Sequence, residues 1–146
     1  MAEVVYRDLV ARDEVLRQRV EVTSAGTARW HVGAAMDPRA RSALRRRGFE
    51  DPGTPRTYAD RRYLSTLDLA VVMTTEQRSD VRQRVGDGLE ILLVRELLDP
   101  PETIDLADPY YGDDAHFDEC LAMIRKSGPH LTSELHRRLG ADSNEA

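Results

Sequence analysis

The seven residues from Leu67 to Met73, Leu-Asp-Leu-Ala-Val-Val-Met, contain a single polar side chain. A strand with one wet face alternates apolar and polar residues. A run this short and this continuous instead belongs to a strand covered on both faces, as in a parallel sheet sandwiched by helices. Leu89 to Val94 reads the same way. Between the two runs, Thr74 or Thr75 can cap a helix that reaches about Val85. Strand, helix, strand is the unit of a parallel α/β sheet with right-handed crossovers.

The flanking chain follows the same alternation. Ala2, Val5, Tyr6, Leu9 and Val10 fall on one helical face at spacings of three and four, directly from the first residue. No residue precedes Met1 to cap that helix, so its first amides are expected to meet missing chain or a ligand. Val20 and Val22 alternate with polar residues and predict a short strand, turned at Ser24-Ala25-Gly26-Thr27. Asp37-Pro38 starts a second helix with an acceptor at the cap and proline at the first position; Gly48 ends it after Arg45, Arg46 and Arg47. Asp51 to Arg62 and Asp99 to Asp114 predict loops. A last helix places Phe117, Cys120, Leu121 and Ile124, then Leu131, Leu135 and Leu139, on one face, with a bend expected at Pro129 and a polar tail from Ala141 to Ala146. The pattern gives one domain over residues 1–146, with three strands where a sheet covered on both faces calls for a fourth.

Charge narrows the class. A net charge of −5 argues against general nucleic-acid binding, which rewards a basic face. No apolar run approaches a membrane span, and no charged-then-apolar leader opens the chain, so a cytoplasmic protein is expected. The lone cysteine, Cys120, rules out an intrachain disulfide framework and a multi-thiolate zinc site. His116, His130 and His136 lack metal-ligand spacing. Cys120 to Arg125 is Cys-x4-Arg, but it lies on an apolar helical face without glycine, which suits a buried core cysteine. The arginines at 45–47 and 61–62 read as a solvated face that can also steer anions.

Three stretches together carry a resemblance: Ser24-Ala25-Gly26-Thr27 with Trp30-His31-Val32-Gly33, then Asp37-Pro38-Arg39-Ala40, then Asp108-Pro109-Tyr110-Tyr111-Gly112. In this order they resemble the low-molecular-weight protein tyrosine phosphatases, especially those of actinobacteria, across essentially the whole chain. The resemblance implies a parallel four-stranded doubly wound sheet. It also implies a first strand running into a Cys-x5-Arg phosphate-binding loop, which supplies the cysteine nucleophile. The opening Met-Ala-Glu resembles the residues immediately after that loop, so a segment of roughly 15 to 20 residues, one strand and a turn, is expected ahead of Met1. The 146 residues then hold no nucleophile. A phosphate or similar anion is expected at the N-terminus of the first helix.

The site residues come from the same resemblance. Asp108 matches the general acid that protonates the leaving tyrosine oxygen, although an aspartate before proline is also a common turn former. Trp30, Tyr110 and Tyr111 match the walls of a cleft that takes the phosphotyrosine ring; ordinary packing of half-buried aromatics is the plainer reading of each. Ser24 matches a serine that supports the nucleophile loop and would also serve a turn. His31 is expected to be structural. No metal or cofactor is implied, because backbone amides and arginine hold the phosphoryl group.

Two departures stand out. Pro55-Arg56-Thr57-Tyr58-Ala59 replaces a segment that is commonly His-Arg-Ala-Arg-Gln in relatives and touches the loop's supporting network. Thr74 stands where relatives usually carry aspartate. Three functions compete: a phosphatase acting on phosphotyrosine proteins, a non-catalytic relative that binds through the aromatic cleft, and, less well matched for want of redox cysteines, an arsenate reductase. The 146-residue chain by itself is expected to be inactive.

Overall fold

The computed structural model describes residues 1–30, 32–101 and 105–142; His31 and the end of the tail lie outside them. Strands β1 (Leu69–Val72) and β2 (Glu90–Leu93) pair in parallel, Leu69 opposite Glu90 and Val72 opposite Leu93. Helix α5 (Thr75–Val85) makes the crossover, with the Thr74 hydroxyl accepting from the Gln77 amide at 3.2 Å. The apolar run explains itself here. Ala70 and Val72 pack with Val81, Leu64 and β2's Ile91 and Leu93, while Leu69 and Val71 lie against a second cluster built by the other helices. Both faces of the sheet are covered, as period-two alternation between two cores requires.

The second cluster joins α1 (Ala2–Arg12), α3 (Pro38–Arg46) and α6 (Asp114–Asp142). Val4, Val5, Tyr6 and Val10 are the buried residues of α1's apolar face. The Tyr6 hydroxyl lies 2.7 Å from the buried Ser127 hydroxyl of α6. Gly128 lets the two helices close: a Cβ there would stand 3.4 Å from Leu9 Cδ1. Asp37 caps α3, its carboxylate accepting from the Arg39 amide at 2.8 Å, and Gly48 adopts φ +83° after the helix ends.

Three expectations need correction. Val20 and Val22 do not form a strand. After a short helix, α2 (Leu16–Arg19), the backbone is extended at Val20, but residues 20–25 pair with no strand among the described residues. The bridge nearby joins Gly26 to Tyr58. Extended backbone is local, whereas a ladder needs a neighbour, and here the neighbour is lacking; among the described residues the sheet therefore has two strands. The loop expected through Arg62 yields earlier to α4 (Arg61–Leu64), because Asp60 caps it by accepting from the Tyr63 amide. Helix α6 runs as one element through Pro129 and on to Asp142, past the expected start of the tail. The amide that proline lacks would have bonded the carbonyl of exposed Arg125, which water can satisfy.

Candidate active site

A cavity of about 610 Å³ opens at the N-terminal end of α1. Met1 to Glu3 form its floor with Cys120 and Ile124; Ser24 to Ala28 and Trp30 form one wall; Ala107 to Tyr111 form the other. Met1 offers α1 no side-chain cap. The positive end of an 11-residue helix therefore faces the cavity, where an anion would be favoured.

Glu3 organises the floor. It is buried, and its carboxylate accepts from the Thr54 hydroxyl at 2.7 Å, the Ser24 hydroxyl at 2.9 Å and the Thr54 amide at 3.3 Å, with Arg7 as its ion-pair partner. Burial pushes its pKa up, but the Thr54 and Ser24 hydrogen bonds and the Arg7 charge together hold it below the ordinary value. Arg7 also donates to Asp51 at 2.6 Å, and Asp51 accepts from the Gly53 amide at 2.8 Å. Gly53 suits this position because its φ is +73°, a conformation that side-chain-bearing residues rarely adopt. In the sequence Glu3 reads only as an acid in a first helical turn, so its role as a hub was missed. Ser24, expected to support a loop, gives its proton to Glu3.

Asp108 stands on the second wall. It caps a 3₁₀ turn, Pro109–Tyr111, by accepting from the Tyr110 amide at 3.0 Å. Asp108 thus forms the turn and also lines the cavity. Tyr110 and Tyr111 stack edge to face with centroids 5.1 Å apart, and Tyr111 is almost fully exposed. Arg39 reaches this loop from α3. Its guanidinium donates to the Tyr110 carbonyl at 2.9 Å and the Gly112 carbonyl at 3.0 Å, is braced by Asp37 at 2.9 Å, and lies 4.7 Å from the Phe117 ring centroid. Sequence reasoning singled out the Asp37–Ala40 motif without assigning Arg39 this task.

Trp30 sits at the tip of the opposite wall, 77% exposed. Main chain secures its loop at both ends. Gly26 donates to the Thr57 carbonyl at 2.8 Å and accepts from the Ala59 amide at 2.9 Å; Gly33 donates to the Arg56 carbonyl at 2.7 Å, and the Arg56 amide donates to Ala34 at 2.9 Å. The departing segment Pro55–Ala59 is thus the support of the tryptophan wall. Thr74, the other departure, caps α5 and lines the cavity.

Cys120 is no candidate nucleophile. It is buried within α6, and burial, with the Asp108 charge adding to it, pushes the thiol up to about 11. At neutral pH it stays protonated, and the thiolate is the reactive form.

Comparison with known proteins bears directly on this arrangement. The family model described as low molecular weight phosphotyrosine protein phosphatase matches residues 1–141. The low molecular weight protein-tyrosine phosphatase A of Mycobacterium bovis is 33% identical over 142 residues, covering 95% of this chain and 85% of the relative. The low molecular weight protein-tyrosine-phosphatase of Streptomyces coelicolor is 32% identical over 145 residues, covering 95% and 87%. Among solved structures, a protein tyrosine phosphatase from Entamoeba histolytica with Hepes in its active site superposes with a TM-score of 0.85 over 93% of this chain and 87% of that one, at 20% identity, a likeness of fold.

Proposed function

Because the chain belongs to the low molecular weight phosphotyrosine protein phosphatase family, we propose that its cavity takes the phosphotyrosine of protein substrates for hydrolysis through a cysteinyl-phosphate intermediate. The observation that carries this reading is the convergence of Asp108, Trp30, Tyr110 and Tyr111 on one cavity at the N-terminus of α1. The phosphoryl group would lie before that helix, where the dipole and free amides favour negative charge. The tyrosine ring would pass between Trp30 and the tyrosine pair, where aromatic contact favours it over phosphoserine. A thiolate attacks phosphorus, the P–O bond to the phenol breaks, and Asp108 gives its proton to the departing oxygen. Its carboxylate then takes a proton from the water that cleaves the cysteinyl phosphate.

The thiolate in this reading comes from a Cys-x5-Arg loop preceding Met1, since Cys120 cannot supply it. A strand ahead of that loop would give residues 20–25 the neighbour they lack and bring the sheet to four strands. The protein would work in the cytoplasm; no helix among the described residues is long and apolar enough to cross a membrane. Without the loop, the 146 residues bind without turnover. The burial of Cys120 within α6 is the observation that favours this non-catalytic behaviour of the 146 residues.

The test is p-nitrophenyl phosphate hydrolysis by two proteins: the 146-residue chain, and the same chain extended by a strand and Cys-x5-Arg-Ser. The first should be silent. The second should turn over, and Asp108→Asn should lower its kcat by about 10²-fold or more on phosphotyrosine peptide. Turnover by the 146 residues alone would refute the account of the nucleophile. An extended protein indifferent to Asp108→Asn would remove the general acid.

A further inference from the structure

The tryptophan wall rests on the segment Pro55–Ala59. Within it, the Tyr58 ring meets two guanidiniums: Arg29 Cζ lies 4.4 Å from its centroid and Arg84 Cζ lies 5.0 Å away. Arg84 comes from the last turns of α5. One of its terminal nitrogens donates to the Ala59 carbonyl and the other to the Thr27 carbonyl, each at 2.7 Å. These carbonyls belong to the two segments that the Gly26–Tyr58 bridge joins. A planar fork with several fixed donors suits such a joint, where a lysine ammonium offers one point charge. Arg29, which also contacts this ring, immediately precedes Trp30 in the chain.

No hydrogen bond or ring contact to Trp30 itself occurs among the described residues, and its side chain stands mostly in solvent. Its placement is therefore inherited from its backbone, and that backbone is gripped three residues earlier by Arg84 and one residue earlier through Arg29. A second arginine of the same helix provides the contrast. Arg82 donates to the Gly86 and Leu89 carbonyls, both at 3.1 Å, and so secures the turn after α5 instead of the cavity wall.

We propose that Arg84 is a positioning residue for Trp30: by bridging the Thr27 and Ala59 carbonyls against the Tyr58 ring, it sets where the indole stands over the cavity and so which aryl groups the cleft admits. The admission of aryl groups rests on the phosphatase reading; the positioning of Trp30 does not.

Trp30 is the only tryptophan in the sequence, so its fluorescence reports this wall alone. Time-resolved anisotropy of the full 146-residue chain should show nanosecond local motion of the indole rising about twofold in amplitude in Arg84→Ala, the range in which loops move. Arg84→Lys, which keeps the charge but loses the fork and the stacking plane, should fall between. Arg82→Ala should match the wild type. Far-UV circular dichroism establishes that each variant is folded. A folded Arg84→Ala with wild-type anisotropy overturns the proposal, as does an Arg82→Ala that loosens the indole equally. Should Arg84→Ala not fold, Arg84→Lys decides: unchanged indole motion in that folded variant is equally fatal. Because nothing here involves turnover, the outcome stands apart from that of the phosphatase assay.

Discussion

The two walls of the cavity are held by different physics. Main chain secures the tryptophan wall at both ends, through four hydrogen bonds to the Arg56–Ala59 segment, and Arg84 is added across the joint. The Asp108 wall has one main-chain tie, from the Leu106 amide to the Met73 carbonyl at 3.2 Å, and its further hold comes from a side chain: Arg39 spans from α3 to the carbonyls of Tyr110 and Gly112 and is itself braced by Asp37. A backbone ladder is indifferent to which side chains it carries, and a guanidinium brace depends entirely on one. The comparison teaches that the tryptophan wall is held largely by main-chain groups that many side chains would leave in place, while the acid wall depends more on the identity of Arg39.

The largest effect should come from beneath both walls. Glu3→Gln places an amide NH₂ where the carboxylate accepts from Ser24, Thr54 and Arg7, so donors face donors around a buried site. We expect a loss of about 2 kcal/mol at pH 7, measured by urea unfolding. The folded-state pKa of Glu3 is depressed, so its contribution is complete above the unfolded value of about 4.3 and disappears as pH falls through the folded value. The gap between wild type and variant should therefore narrow in acid. An equal gap at both ends of that window would mean the carboxylate charge is not what matters. Ser24 belongs to the tryptophan side, so hydrogen exchange should quicken at 24–28 ahead of 108–112. The reverse order would break the link that runs from Glu3 through Ser24 to that wall.

Arg39→Ala comes next. The Asp37 cap on α3 survives, since it accepts from the main-chain amide of residue 39, but the brace to Tyr110 and Gly112 goes. Amide exchange across 106–113 should speed up about tenfold, as local opening becomes easier without global unfolding. Trp30 anisotropy should stay at the wild-type value. If both walls loosen together, they are one unit and the comparison fails.

Much of this was legible in local sequence, for reasons that particular residues make plain. Leu67–Met73 announces a doubly covered strand because burial on two faces leaves its mark residue by residue, and Asp37 and Thr74 announce helix starts because a cap acts within three residues. Val20 and Val22 misled because alternation encodes an extended backbone, whereas pairing belongs to a second segment. Glu3, Arg39 and Arg84 were invisible for a related reason: a charged residue on a helix reads as a solvated face until tertiary structure brings it carbonyls or hydroxyls to serve. The motif carried Arg39 along without saying what it does. Asp108, Trp30, Tyr110 and Tyr111 entered through resemblance, and the fold gathers them on one cavity.

The smallest effect separates the ring from the hydroxyl at Tyr58. No hydrogen bond to the Tyr58 hydroxyl occurs among the described residues, and what the ring offers Arg29 and Arg84 is its π face. Tyr58→Phe preserves that face and should leave stability and indole motion within error of the wild type. Tyr58→Leu removes the face while keeping an apolar body, and should cost about 1 kcal/mol, the scale of cation–π contacts at half-buried sites. It should also loosen Trp30 less than Arg84→Ala does, because the Thr27 and Ala59 hydrogen bonds and the main-chain ladder remain. A Tyr58→Phe variant as mobile as Tyr58→Leu would show that the hydroxyl, and not the ring's contact with the two cations, steadies this wall. That contact would then lose its place in the contrast with the Arg39 brace.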